Sequence, residues 1–267
     1  MKLFYRKYGE GPPLVILHGL YGSSDNWVTI AKKISDRFTV YLPDQRNHGH
    51  SPHSEIHDYE SMSNDLSELA SDLKLGKFYL AGHSMGGKTA TAFALRWPER
   101  LSGLLIADIS PFANKDTEHN VYYQHLSVLK IIQSFDLKSI STRQEAELLI
   151  SEKIPSEKIR NFILKNLQRT TGNDFAWRIN VPSLIDNLEN IIQGIDSERY
   201  IGHPVTGFHV IFLKGEKSDY LPSEDFISIS KVFPSAKFVS ISGSGHWVHS
   251  DSPGQVIIQL LELLKGH

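Results

Sequence analysis

The stretch KFYLAGHSMGGKTATAFAL, residues 77–95, sets Ser84 in a narrow frame of glycines between two apolar runs. The first run reads as a strand, and the second as a helix that Pro98 ends. Between them lies the sharp turn Gly82-His83-Ser84-Met85-Gly86, where Gly82 and Gly86 leave space that a side chain would fill. A strand, a turn and a helix in this order are what a G-x-S-x-G nucleophile elbow requires. The same residues also suit a plain packing turn. The choice depends on whether the chain supplies a base, an acid to orient that base, and donors for an oxyanion.

Short apolar runs recur on both sides of this stretch: 13–19, 38–44, 78–84, 104–110, 209–215 and 237–243. They are continuous rather than alternating, as expected of strands covered on both faces of a parallel sheet. The opening KLFYRKYG does alternate, which suits an edge strand. Helical patterns separate the runs. Met62, Leu66, Leu69 and Leu73 share one helical face, and the last helix opens near Pro253 and stops before Gly266. Alternating strands and helices predict an α/β fold built on a mostly parallel, doubly wound sheet. Residues 112–203 break the rhythm with helical patterns only, such as VYYQHLSVLKIIQSF and SEKIRNFILKNLQ. Roughly ninety residues far exceed an ordinary connection. We therefore expect a helical cap subdomain at 112–203, inserted into a core domain of residues 1–111 and 204–267.

Composition narrows the class of function. The 267 residues carry a net charge of −2, so no basic field invites nucleic acid or an anionic membrane. No apolar run reaches the length of a spanning helix, and the first residues lack a signal-peptide core, so a cytoplasmic location is expected. Zero cysteines exclude disulfides, thiolate zinc sites and a cysteine nucleophile. With thirteen histidines present, each needs its own reason to be counted catalytic.

Ligands of open parallel sheets bind outside the carboxyl ends of the strands, where Ser84 falls. The segment LHGLYGSSDNW follows another such end, and the N–H groups of Leu20 and Met85 are candidates for an oxyanion hole. Late in the chain SGSGHWVHSDSP offers His246 and His249; His246, in a small-residue loop, is the better placed base. His18 and His48 read as loop-packing residues. For the acid, FLKGEKSDYLP carries Ser218 three residues after Gly215 and Asp219 one place later. A one-residue slip in extended chain turns a side chain the other way. Asp108 closes the apolar run of LLIADISP, where a buried carboxylate needs a partner. Asp108 is the preferred acid, Asp219 the alternative, and Ser218 an auxiliary hydrogen-bonder.

With HGLYGSSDNW, DQRNHGHSP, GHSMGGK, ADISP and GSGHWVHSDSP in this order, the chain resembles the α/β-hydrolase superfamily over nearly its whole length. More narrowly it resembles the small bacterial esterases of the YbfF type and the ABHD11-like hydrolases, and WRINVPSL resembles their Trp-Arg-x-Asn stretch. The resemblance implies an α/β-hydrolase sheet of about seven to eight strands. It also implies Ser84 as nucleophile, His246 as base, Asp108 as acid and Ser218 at the displaced-acid position.

These readings lead to a serine carboxylesterase or thioesterase that cleaves small to medium acyl esters through an acyl-enzyme, with no metal or organic cofactor. Trp177, Asn180 and Trp247 are candidates to line the acyl pocket. An acyltransferase, a carbon–carbon bond hydrolase or a perhydrolase would use the same triad. A ligand-binding receptor would keep the fold without turnover.

Overall fold

The computed structural model describes residues 1–112, 115–200 and 202–265; Gly266 and His267 lie outside them. The alternating first strand, β1 (Tyr5–Tyr8), lies at a sheet edge and is followed by β2 (Pro13–Leu17), α1 (Val28–Lys33), β3 (Thr39–Pro43) and α2 (Tyr59–Asp72). Next come β4 (Phe78–His83), α3 (Met85–Arg96) and β5 (Leu101–Ala107). The inserted segment holds α4 (Lys115–Gln133), α5 (Arg143–Lys153), α6 (Glu157–Leu164), the short strands β6 (Leu167–Arg169) and β7 (Phe175–Trp177), α7 (Val181–Asp186) and α8 (Leu188–Ile192). The chain ends with β8 (His209–Gly215), α9 (Asp225–Val232), β9 (Ala236–Ile241), α10 (Val248–Asp251) and α11 (Pro253–Glu262).

The seven-stranded sheet has the order β1-β3-β2-β4-β5-β8-β9, and only β1 runs antiparallel to its neighbour. Successive residues of a strand point to opposite faces, so the continuous apolar runs feed two cores at once. Leu14 and Ile16 of β2 pack with α1 and α11 through Ile30, Val256 and Leu260. Val15 and Leu17 pack on the other face with α2, α3 and α9 through Leu66, Phe93 and Ile229. Burying a side chain such as Phe93 contributes about 1.5–3 kcal/mol, before the entropy it costs to order the chain.

Two sequence expectations change here. The run expected from residue 104 begins at Leu101, because the turn Pro98–Arg100 leads straight into the strand. The segment 112–203, expected to lack strands, contains the antiparallel pair β6–β7, with Leu167 opposite Trp177. Each strand has three residues, too few to show an alternation, and Asn173 turns the chain between them at φ 69°.

The order of connections positions the site. From β2 the chain crosses by α1 on one face to β3; from β3 it crosses by α2 on the other face to β4. The helices thus diverge above β2 and β4, leaving a crevice at their carboxyl ends. The loop after β2 and the turn after β4 form its two walls. A third hydrophobic cluster, from Leu20, Tyr59, Met62 and Met85 to Leu129, Leu184 and Ile191, joins the inserted segment to this edge.

Candidate active site

Ser84 joins β4 to α3 with φ 54° and ψ −120°, outside the regions favoured by side-chain-bearing residues. Such a residue costs about 1–3 kcal/mol and persists only where its neighbours hold it. They do so by close approach. A Cβ on Gly82 would stand 2.1 Å from the Gly86 carbonyl oxygen, and one on Gly86 would stand 2.5 Å from that of His18. The Ser84 N–H donates to Ala107 of the neighbouring strand at 3.1 Å.

The structure brings Ser84, His246 and Asp108 together from three separate loops. His246 Nε2 lies 3.0 Å from Ser84 Oγ, and its Nδ1 lies 2.8 Å from Asp108 Oδ2. Asp108 has no exposed surface and is also in the left-handed region, at φ 51°. Its Oδ1 accepts from the Gly215 N–H at 2.6 Å, and its Oδ2 accepts a short hydrogen bond from the Ser218 hydroxyl. With both oxygens bonded to donors, the buried carboxylate has the partners that burial demands. Asp219 is exposed and lines the cavity beside Ser84, whereas Ser218 is buried against Asp108.

Two further groups hold the imidazole. Tyr220 stacks on it with ring centroids 3.7 Å apart and planes 20° apart. His83, inside the elbow, is buried and its Nε2–H donates to the His246 carbonyl at 2.8 Å. Burial, then His249 and His246, push the His83 pKa well below its ordinary value, so the ring is neutral. Neither role was legible in the sequence, though the His83 position between Gly82 and Ser84 marks it as part of the turn.

The opposite wall is tied down by histidines that work as neutral hydrogen-bonding groups. His18 Nδ1 donates to the Gly19 carbonyl at 2.9 Å, and its Nε2 accepts from the Gln45 N–H at 2.9 Å. His48 Nδ1 donates to the Arg46 carbonyl at 2.9 Å, and its Nε2 accepts from the Tyr21 N–H at 3.2 Å. A carbonyl can only accept, which fixes both tautomers. Burial lowers both pKa values. Tyr21 itself takes φ 62°, and its carbonyl accepts from Asn166 at 2.8 Å. Leu20 and Met85 face the cavity on either side of Ser84, and among the described residues neither N–H has an acceptor.

The RNHG motif has a mechanical role. Arg46 grips Asp65 through two nitrogens at 2.7 and 2.9 Å. Asn47, at φ 65°, accepts from the N–H of Ser54 at 2.8 Å and the side-chain amide of Asn180 at 3.1 Å. Asn180 is thus a tie between the inserted segment and the core and the N-cap of α7, not a wall of the Ser84 cavity. Trp177 lies beside it on the same outer hollow. Trp247 flanks His246 but faces a different hollow, with Lys158 4.9 Å over its ring.

The cavity over Ser84 has a volume of about 370 Å³. Its walls are Leu20, Tyr59, Met85, Ile109, Phe112, Ile191 and Ile192, with Lys88, His125, Asp219, Tyr220 and Asp225 as polar groups. The inserted segment therefore supplies much of the lining from α4 and α8. The sequence marked a helical pattern over 121–135, within α4, but none over α8, and not which residues would turn inward. Among the described residues no cluster of three or more His, Asp or Glu side chains is arranged to hold a metal, and no helix is long and apolar enough to cross a membrane.

Known proteins share this architecture. The alpha/beta hydrolase fold family matches residues 12–253. The sn-1-specific diacylglycerol lipase ABHD11 of Danio rerio is 36% identical over 96% of this chain and 80% of its own length. Esterase YbfF of Escherichia coli (strain K12) is 30% identical over 92% of this chain and 90% of its own. A solved structure described as a marine microorganism esterase superposes with a TM-score of 0.93 at 44% identity, covering 98% of this chain and 99% of that one. These relatives are named as esterases or lipases, which supports a hydrolase. By sequence and by structure, the chain belongs to the α/β-hydrolase fold family.

Proposed function

We propose that the protein is a serine carboxylesterase or thioesterase acting on small to medium acyl esters, with Ser84 as nucleophile, His246 as base and Asp108 as acid. The observation that carries this reading is the hydrogen-bonded line from Ser84 Oγ through both nitrogens of His246 to Asp108, at 3.0 and 2.8 Å, opening on a cavity of mixed apolar and polar lining. The names of the related esterases and of the lipase point the same way.

In this reading the Ser84 Oγ–H proton passes to His246 Nε2 as Oγ bonds to the substrate carbonyl carbon. Asp108 holds the Nδ1–H tautomer and stabilises the imidazolium that forms. The carbonyl oxygen, now an anion, accepts from the N–H groups of Leu20 and Met85, each such donor contributing about 10²–10³ in rate. The tetrahedral adduct collapses, and the leaving alkoxide or thiolate takes the proton from His246 Nε2. Water repeats the sequence on the acyl-enzyme: its proton goes to His246, its oxygen to the acyl carbon, and Ser84 Oγ leaves protonated. Residues 112–203 act as a cap that shapes the acyl cavity, and the reaction needs no cofactor.

Labelling with a fluorophosphonate and turnover of a panel of acyl esters test the proposal. The wild type is expected to be labelled at Ser84 and to hydrolyse short and medium esters, with Ser84→Ala lower by about 10⁶ in kcat. Turnover equal to that of Ser84→Ala across the panel would remove the esterase reading and leave a receptor.

A further inference from the structure

The cavity contains one imidazole that the hydrolysis above does not use. His125 comes from α4, projects among the residues lining the Ser84 cavity, and is held from behind by the loop that carries Leu20. The Tyr21 hydroxyl lies 3.1 Å from His125 Nδ1 and 3.4 Å from the His125 carbonyl oxygen. The rings sit with centroids 5.7 Å apart. Tyr21 is in turn fixed at both ends of its own peptide units, by His48 and by Asn166. The imidazole is therefore set by a rigid support, not left to sample rotamers as an ordinary cavity wall would.

Its protonation state follows from its surroundings. Burial, followed by the nearby charges of His246 and Lys88, lowers the His125 pKa to about 4, so the ring is neutral at neutral pH. Burial keeps the Tyr21 phenol protonated, because its pKa is raised. The phenol has one proton for two contacts: given to the nearer, Nδ1, it makes the ring an acceptor there; given to the His125 carbonyl, it leaves the phenol oxygen accepting from Nδ1–H. A neutral imidazole that accepts at Nδ1 carries its own proton at Nε2. No described side chain takes that proton, and the ring lies within electrostatic reach of the base.

We propose that His125 is a specificity residue of this cavity: with Nδ1 held by Tyr21, its Nε2–H donates a hydrogen bond to an oxygen on the acyl chain of the bound ester. The preferred substrates are then acyl esters bearing a hydroxyl, keto or ether oxygen a few bonds from the ester carbonyl. A plain alkyl chain covers this half-buried donor without offering it an acceptor, and discrimination against it arises from that loss. The inference rests on the hydrolase reading of Ser84.

The test is the ratio of kcat/KM for 4-nitrophenyl methoxyacetate to that for 4-nitrophenyl butanoate, two esters of matching shape in which one chain oxygen replaces a methylene. The methoxy oxygen can only accept, so the ratio reports donation. Comparing each variant with wild type cancels the intrinsic reactivities of the two esters. His125→Leu is expected to lower the ratio tenfold or more, and His125→Gln, whose amide N–H reaches toward the Nε2 position, to retain most of it. Tyr21→Phe, which frees Nδ1, should lower it by an intermediate factor. If His125→Leu does not fold, His125→Phe keeps the ring volume and reads the same ratio. Fluorophosphonate labelling of each variant checks that Ser84 remains reactive. An unchanged ratio in a labelled His125→Leu or His125→Phe variant overturns the inference and leaves the hydrolase standing. Absence of turnover of both esters by the wild type, with no labelling, removes the hydrolase reading and this inference with it.

Discussion

The carboxyl edge of the sheet and the helical segment laid over it are built by different rules. At the edge the backbone is held in unfavourable shapes: Tyr21, Asn47, Ser84 and Asp108 all have positive φ without being glycine. Each is held by a hydrogen bond to a neighbouring segment, at 3.2 Å for Tyr21, 2.8 Å for Asn47, 3.1 Å for Ser84 and 2.6 Å for Asp108. The inserted segment packs through apolar residues such as Leu129, Ile163 and Leu184, with Asn166, Asn180 and Asn187 hydrogen-bonded to the core. Among its described residues only Asn173, in a hairpin turn, has a positive φ apart from glycine. Strain is stored where atoms must meet to within tenths of an ångström, and apolar packing suffices where only a cavity shape is needed.

The largest effect that would break this contrast concerns the proposed acid, Asp108. Asp108→Asn should lower kcat by about 10⁴-fold, because an amide at this position favours the wrong imidazole tautomer. Asp219→Asn, a change at an exposed site, should stay within about two- to threefold. Steady-state kinetics on one ester with both variants decides it, and the reverse ranking would move the acid to Asp219.

The second prediction tests the packing side. Ile163→Ala removes a fully buried side chain of α6 and should cost about 2–5 kcal/mol of stability by denaturant unfolding. The kcat of the molecules that remain folded should move little. A large kcat loss at unchanged stability would show that α6 holds the catalytic geometry, contrary to the division drawn above.

A smaller effect is expected at His83, which holds the His246 carbonyl. His83→Leu should lower kcat by about 10- to 100-fold with KM nearly constant, since a misplaced base loses reach to Ser84. His83→Gln keeps an N–H that can find the same carbonyl and should recover part of the loss. Equal defects in the two variants would mean that the ring matters for packing alone.

A last effect is the pH dependence of stability. His57 and His249 each have a folded-state pKa pushed down to about 3, chiefly by burial, against about 6.5 in the unfolded chain. Below 6.5 the unfolded chain takes up protons that the folded chain refuses, so stability falls as pH drops from about 6.5 towards 3. Carboxylates such as Asp44, also depressed in the fold, add their loss only below about 4. Denaturant unfolding of His57→Asn should show a slope lower by up to about 1.4 kcal/mol per pH unit between roughly 6 and 4. A slope identical to wild type would mean that His57 is charged in the fold.

The sheet was readable from its strands because both faces are buried, which leaves continuous apolar runs between turn residues. The hairpin β6–β7 was not, since three residues cannot display a period. At the site, Ser84, His246 and Asp108 were nominated from motif and position, whereas Trp177, Asn180 and Trp247, expected at the acyl pocket, line hollows other than the one over Ser84. A motif records constraints between residues near one another in the chain, whereas the lining of a cavity depends on how whole helices are rotated against the sheet. The residues 112–203 have amphipathic patterns that say a face is buried without saying what it is buried against.

What the sequence by itself determined is therefore the α/β class, the sharp turn at Ser84, and the small group of residues from which base and acid could be drawn. Local sterics and strand periodicity suffice for these, because they involve residues close along the chain. Only the tertiary structure decided that Asp108 and not Asp219 stands 2.8 Å from His246, that His83 and Tyr220 hold the imidazole, and that Tyr21 turns His125 into the cavity. Except for Tyr220 and His246, those are distances across loops more than a hundred residues apart in sequence, as from Ser84 to His246 or from Tyr21 to His125. They are set by the register of neighbouring strands and the docking of α4, which no local pattern carries.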